Sequence, residues 1–529
     1  MQAPVVHINA PAQTRSHSQQ AQQANIQSAK TISEIIKTCL GPKAMLKLLL
    51  DPMGGIVLTN DGNAILREIE VVQPGAKFII DLAKTQDDEV GDGTTSVILL
   101  TGEILSIVGG HYLLERQIHP VIINKALKMC LRDSLDILKE ISNKIDVEND
   151  SIMIQLIKSS LGTKYMNYYA TDELCRLSLD AVRLVKDDVN ETIDIKRFVK
   201  VEKLVGGDVS ESCLIKGVIL NKDVVHPSMK RFIKNPEIIL LDCPLEYKKG
   251  ESQTNIEITN ENDWNRYLEI EEEQVVKMCE TILEFKPDVV VTEKGVCDLA
   301  QHYLMKGGVS VLRRVKKSDL NRLSKITGAT IVNRVDDLKE NDIGTDAKEF
   351  KVELIGDEYY TYIHESENAK ACTVLLRGPS KDILNELMRN IEDSMAVVRN
   401  ILTSPYLCPG GGATEMALSV KLGERAEALT GIEKWPYQAI ADALECIPRT
   451  LIQNSGGSPI KLLSQLRAKH SNGEFTYGID GEAGKIVDMK DYGIWEPELI
   501  KQQTLKTSIE ASCMLLRVDD IVSAVKREQ

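Results

Sequence analysis

The chain has 529 residues, of which 43% are hydrophobic and only 4% aromatic, and it carries a formal net charge of −14. That length accommodates about three or four domains, with cores built mainly from Ile, Leu, Val and Ala. The acidic balance argues against general affinity for nucleic acid or an anionic membrane surface. Eleven cysteines with no CxxC and no paired rhythm read as reduced core residues of a cytosolic protein rather than a disulfide framework.

The opening stretch "MQAPVVHINAPAQTRSHSQQAQQ" has neither the charged nor the apolar region of a secretory leader and reads as a polar, mobile arm. No apolar run approaches the roughly 18 residues needed to span a bilayer, so a soluble, intracellular protein is expected. Residues 20–145 predict long helices, as in "NKALKMCLRDSLDILKEIS", where apolar residues recur at three- and four-residue steps. Within this region "LGPKAMLKLLLDPMGG" (40–55) reads as a Gly-Pro turn opening an amphipathic helix; the P-loop pattern is absent. "LTNDGNAIL" (58–66) sets Asn-Asp-Gly between apolar runs, a hairpin-turn signal that by itself accounts for Asp61. "EVGDGTTSVILL" (89–100) places Asp92 between two glycines at the start of a buried helix. There it can cap the helix or hold the metal that accompanies a phosphate. The threonines that follow favour phosphate, because hydroxyls and helix-start N–H groups together saturate its oxygens.

The middle of the chain changes character. "EIILLDC" (237–243), "DVVVTE" (288–293), "VSVLRRV" (309–315) and "ATIVNRV" (329–335) are short β-type runs, separated by helix-like segments such as 270–285 and 296–306. That alternation predicts a parallel sheet in a βαβ domain. The charged segment 246–274 is long for a crossover, and fits either a solvated loop or a projecting functional element. "RRVKKSD" (313–319) is a basic cluster in an acidic protein. It reads either as a solvated strand-end loop or as an attractor of acidic segments through Arg313, Arg314, Lys316 and Lys317.

"SKDILNELMRNIEDSMAVVRNIL" (380–402) arranges Leu384, Leu387, Ile391, Met395 and Val398 as one apolar stripe. Asp393 is turned about 200° away from Ile391 and faces water or a cleft. "PGGGATE" (409–415) opens a helix with three glycines, and helical patterns return in "WPYQAIADALECIPRTLIQ" and "PIKLLSQLRAKH". "YGIDGEAGKIVDMKDYGIWEPELIKQQ" (477–503) reads as a loop-rich hairpin. A helical domain is thus interrupted by an α/β insertion, and its two halves are expected to meet.

"LGPKAMLKLLLDPMGG", "LTNDG", "GDGTTSV", "PGGGATE" and "YGIWEP" occur in the order and approximate spacing found in chaperonins, over essentially the whole chain. The 246–274 insertion resembles the helical protrusion of group II chaperonins, which have a built-in lid. "LLDCPLEYKKGESQTNIEI" and "LRRVKKSDLNRLSKITGATIVNRV" are similar to one subunit class of the eukaryotic cytosolic chaperonin. The resemblance implies a multi-domain α+β/α/β fold with three parts. These are a mainly helical equatorial ATP-binding domain (1–146 and 404–529), a small hinge domain (147–213 and 368–403), and an α/β apical domain (214–367) with the protrusion at 246–274.

The same resemblance implies an ATPase using ATP, Mg²⁺ and, as a further ion, K⁺. By analogy, Asp92 coordinates Mg²⁺, and Gly93, Thr94, Thr95 and Ser96 bind phosphates, with Gly41 and Pro42 bringing backbone close to the nucleotide. Asp393 orients the attacking water with Asp61 in support, Thr163 and Lys164 sense the γ-phosphate, and Gly411, Asp480, Gly481, Glu496 and Lys501 face ribose and base. The implied partners are paralogous subunits in a hetero-oligomeric double ring of eight-membered rings and non-native clients of the actin and tubulin class. Neither nucleic acid nor membrane is implied, and the expected location is the cytoplasm. A catalytically weak scaffold subunit of the same ring, or a kinase-like ATPase, are the alternatives; no acceptor-pocket motif supports the kinase, and the presence of Asp61, Asp92 and Asp393 argues against the scaffold.

Overall fold

The computed structural model describes residues 16–17, 19–50, 54–162, 172–186, 193–247, 261–364, 366 and 369–521. The chain divides into two compact units, one formed by residues 1–176 with 385–529 and the other by 177–384.

The first unit is a helical bundle. Its helices are Gln19–Ile36, Pro74–Glu89, Thr94–Ile104 with a π-helical continuation to Glu115, Pro120–Ile141, and, from the C-terminal part, Ala413–Ala428, Lys434–Leu444, Cys446–Ser455, Pro459–Ser471 and Glu498–Leu515. Pro120–Ile141 shows why they form. Proline stands in the first turn, where its missing N–H costs nothing, the His119 ring accepts from Val121 N, and Ile123, Leu127, Cys130, Ile137 and Leu138 bury one stripe. The Thr94–Glu115 run lies close to Gln19–Ile36 because Gly102 and Gly109 present no side chain there; a Cβ would stand 2.7 Å from Ser33 Cβ and from Ile26 Cδ1 respectively.

This run corrects one expectation. By length and composition it could cross a membrane, and 67% of its most apolar window is buried inside the protein. It is the core helix of the bundle, and its apolarity is used there. The interior is aliphatic, as 4% aromatics requires; Tyr437 and Phe350 are the largest fully buried side chains.

A second correction concerns residues 40–55. Instead of an amphipathic helix, Lys47–Leu50 pairs antiparallel with Ile56–Thr59, its residues alternating in exposure. The sequence there offers β-branched Ile56, Val57 and Thr59 as partners and a Pro-Met-Gly-Gly link, so two-residue periodicity wins over three-to-four. A third concerns the N-terminal stretch: Ser16–His17 pairs with Asp520–Ile521 and a helix begins at Gln19, so the mobile reading fails there, while residues 1–15 and 18 lie outside the described residues. The 477–503 stretch contains the expected hairpin, Tyr477–Asp480 against Lys485–Asp488.

The second unit contains the parallel sheet. The strands Ser310–Leu312, Val289–Thr292, Ile238–Leu241 and Ile331–Val332 lie side by side in that order, with Val290 level with Ile239 and Ile331 with Leu240. All four runs read from the sequence are strands, and Asp298–Lys306 and the last part of Glu261–Glu284 are the helices expected between them. Residues 248–260 of the long polar segment lie outside the described residues; from Glu261 onward it is helical. Not foreseen were a four-stranded antiparallel sheet (Gly217–Leu220, Glu358–His364, Glu349–Ile355, Phe232–Lys234) and a mixed sheet of Val199–Val205, Cys372–Gly378 and Cys213–Ile215. All eleven cysteines are free, and all but Cys213, Cys243 and Cys297 are buried.

Candidate functional site

In the first unit the mouth of the Thr94–Ile104 helix opens into a cavity of about 390 Å³, within the range of small-molecule sites. The local chain explains the opening. Gly93 is the N-cap residue in a left-handed conformation (φ 78°), and no side chain caps the helix. Val97 N already bonds Gly93 O, so Thr94, Thr95 and Ser96 are the residues whose N–H groups have no partner within the helix. Asp92 is therefore not the cap. Its Oδ1 accepts from Gly93 N at 2.7 Å.

Asp61 also departs from the turn reading. It is the N-cap of Gly62–Glu68, its Oδ2 accepting from Ala64 N at 3.0 Å. Gly62 must be glycine-sized, because a Cβ would stand 2.9 Å from Thr95 Oγ1; this brings the Asp61 turn against the mouth of the Thr94–Ile104 helix. Burial and then the nearby Asp61 charge raise the pKa of Asp87, which accepts from Asn63 Nδ2 at 2.5 Å. Acids are crowded on this side.

Two further glycines allow close approach. At Gly411 (φ 63°) a Cβ would meet Met489 Cε at 2.8 Å and Ile479 O at 2.9 Å, and at Gly481 it would meet Pro42 Cδ at 2.4 Å. Deeper in, Lys501 Nζ lies 2.6 Å from Glu415 Oε1 and 2.5 Å from Glu496 Oε2. Burial alone would discharge Lys501, yet the two carboxylates hold its pKa above the ordinary lysine value. Glu496 shifts the other way: burial raises its pKa, Glu415 and Asp92 add to that, and Lys501 opposes it. Glu415 Oε2 is buried with no hydrogen-bond partner.

Of the residues singled out in the sequence, Gly41, Pro42, Asp61, Asp92, Gly93, Thr94, Thr95, Ser96, Gly411, Asp480, Gly481, Glu496 and Lys501 line this one cavity. Asp393 is half-buried on the Lys381–Thr403 helix; Val397, one turn further along the same face, is the residue of that helix that reaches the cavity wall. Thr163 and Lys164 lie outside the described residues. Sequence reasoning missed Asn60, Ser159, Ser160, Tyr492 and Thr504 on the wall, and Glu415 beneath it. Glu415, Asn60 and Tyr492 were within reach, since they belong to the PGGGATE, LTNDG and YGIWEP motifs; Ser159, Ser160 and Thr504 carry no local signal.

The lining acids are Asp61, Asp92, Asp480, Glu482 and Glu496, against one basic side chain, Lys501, among the described lining residues. Among the described residues no group of three or more His, Cys, Asp or Glu could hold a metal by itself. That donor set fits Mg²⁺, which keeps waters and binds through one or two carboxylates together with substrate phosphates.

Residues 32–526 match the model of the TCP-1/cpn60 chaperonin family. The chain belongs to that family. T-complex protein 1 subunit gamma of Saccharomyces cerevisiae is 64% identical over 537 residues, covering 100% of both chains. The protein of the same name from Schizosaccharomyces pombe is 56% identical over 529 residues, 100% of this chain and 99% of its own. That of Homo sapiens is 53% identical over 517 residues, 97% and 94% respectively. The similarity to one chaperonin subunit class, carried in the sequence by residues 240–258 and 312–335, is borne out as similarity to the gamma subunits.

Proposed function

We propose that this chain is an ATP-hydrolysing subunit of a hetero-oligomeric cytosolic chaperonin, in which nucleotide turnover drives closure around non-native proteins. The observation that carries the reading is the cavity itself. It combines an uncapped helix mouth, which attracts phosphate, with an excess of carboxylates, which repel a bare polyanion. A phosphate accompanied by a divalent cation satisfies both, and membership of the chaperonin family supports Mg²⁺–ATP as that ligand. Mg²⁺ would be held by Asp92 and neutralise phosphate charge.

The chain's own groups then divide the work. The N–H groups of Thr94, Thr95 and Ser96, with their hydroxyls, receive phosphate oxygens, and Gly41, Pro42, Gly411, Asp480 and Gly481 border the ribose and base. Lys501 holds Glu415 and Glu496 in place on that side. Asp393, supported by Asp61, orients the attacking water; positioning and charge neutralisation are what phosphoryl transfer mainly needs. Thr163 and Lys164 are assigned to the γ-phosphate from the resemblance alone, as is K⁺ as a further ion. The three-domain division, the paralogous partners in paired eight-membered rings, and clients of the actin and tubulin class belong to the same proposal. Helix 261–284 would be the base of the lid segment, and hinge movement would gate hydrolysis.

The test isolates this subunit inside the assembled complex. Photolabelling with 8-azido-ATP carrying an α- or a γ-label separates binding from hydrolysis on the gel-resolved subunit. Wild type should retain the α-label and lose the γ-label. Asp92→Ala should lose Mg²⁺-dependent labelling, and Asp393→Ala should keep both labels. No labelling of wild type overturns the reading; labelling without γ-release supports the scaffold alternative.

A further inference from the structure

The segment that presents Asp92 is held from behind by side chains, and its carbonyl groups show how. Arg399 Nη2 donates to Glu89 O at 2.5 Å, and Asn400 Nδ2 to Val90 O at 2.8 Å. Gln86 Nε2 donates to Asp92 O at 3.1 Å. Val90 N and Gly91 N both donate to Gln86 O, and Gly93 O accepts from Val97 N. With these carbonyls satisfied on the inner side, the free N–H groups of the helix mouth and the Asp92 carboxylate are what the segment offers to the cavity.

The contact with the Lys381–Thr403 helix is also steric. Gly91 has φ 71°, and a Cβ there would stand 2.4 Å from Ala396 Cβ, so glycine is required for both conformation and space. Asp393, Ala396, Val397 and Asn400 are spaced i, i+3, i+4 and i+7, which puts them on one helical face. That face thus carries the Asp393 carboxylate, one element of the cavity wall, and the donor that grips the Asp92 segment. Asn400 is only 2% exposed, and Arg399 Nη2 also leans on its Oδ1 at 3.4 Å.

From this we infer that Asn400 is a positioning residue: by holding the Val90 carbonyl it fixes the Asp92 segment to the helix that bears Asp393. The Asp92 segment is thereby anchored at position 400, two turns along the helix from Asp393. This rests on the proposed nucleotide reading and adds to it a residue that touches neither nucleotide nor metal. The geometry requires a donor at position 400. A carboxylate of the same shape would face the Val90 oxygen and push the segment away.

The experiment is an Mg²⁺ titration of the photolabelling described above, on assembled complex containing Asn400→Asp. A lost hydrogen bond to a buried carbonyl, with an acceptor left in its place, should raise the Mg²⁺ concentration for half-maximal α-labelling about tenfold. The rate of γ-label loss at saturating Mg²⁺ should fall by a similar factor. A purely structural role would lower labelling equally at every Mg²⁺ concentration, without moving the midpoint, and that result overturns the inference. Asn400→Ser, whose hydroxyl is too short to reach Val90 O, carries the test if the aspartate variant does not assemble. A wild-type midpoint there also overturns it. Failure of wild type to label at all strikes the nucleotide reading instead, so the two are separable.

Discussion

Each unit of the molecule buries a cluster of charges, and the two clusters differ in balance. In the second unit Lys200 lies 3.0 Å from Glu202 and 3.6 Å from Asp319, and Arg322 lies 2.8 Å from Asp319. Two cations face two carboxylates, and Lys200 further donates to Ile219 O at 2.7 Å. In the first unit one cation, Lys501, serves two carboxylates, Glu415 and Glu496, beside a cavity lined by four more acids. The balanced cluster ties a strand to a helix and needs nothing else. The unbalanced one carries an excess of negative charge, which adds to burial in raising the pKa of Glu496; an entering cation would relieve it. Charge left unbalanced beside a cavity marks a candidate ligand site, whereas a balanced cluster is explained by structure alone.

The largest effect is expected at Lys501. Lys501→Met leaves the buried Glu415 and the part-exposed Glu496 without their shared cation, at a cost of about 3 kcal/mol. Thermal unfolding and incorporation into the complex should both fall sharply, and adding Glu415→Gln should restore part of the loss. An unchanged melting profile would show that the cluster is not energetically coupled. Next comes Asp393→Ala, for which γ-label release should drop by about 10²-fold or more while α-labelling persists. Equal release in wild type and variant would remove Asp393 from the water-positioning role.

Lys200→Met, in the balanced cluster, should cost less, about 1–3 kcal/mol, because Arg322 still covers Asp319. It should leave the Mg²⁺ dependence of labelling untouched; a shifted midpoint would mean that the clusters are not independent. The smallest effect is expected at His470, a buried group outside both clusters. Its Nε2 donates to Tyr477 O at 2.8 Å, its Nδ1 has no partner, and burial lowers its pKa below 6.5. A depressed folded pKa gives stability that is present above pH 6.5 and is lost as pH falls through the folded value. Melting temperatures of wild type should therefore decline between pH 7 and more acidic conditions more steeply than those of His470→Gln, and parallel declines would count against it.

Much of this was legible in the chain. The four strands of the parallel sheet announced themselves as short Val- and Ile-rich runs, because strands buried on both faces are apolar throughout. The Leu384, Leu387, Ile391, Met395 and Val398 stripe is buried as its spacing required. Thirteen of the residues marked for a nucleotide line a single cavity, since glycine turns, acids and helix starts have local signatures. Residues 40–55 misled because Leu-rich segments fit either period, and the choice fell to the partner strand Ile56–Thr59. Asp61 misled because Asn-Asp-Gly suits a turn and a helix cap equally.

What the sequence determined by itself was the inventory: which segments can be helix or strand, which glycines permit a close approach, and which acids are available to chemistry. Those properties depend on residues within a few positions of one another. What the tertiary structure decided was the pairing of remote groups. Lys501 meets Glu415 across 86 positions, and Asn400 meets Val90 across 310. Neither pair has any local signature, because a side chain's partner across the fold is set by how helices pack, and packing is a property of the whole core. The charge excess of the cavity, on which the proposed cation-bearing ligand rests, exists only after that packing has brought its acids together.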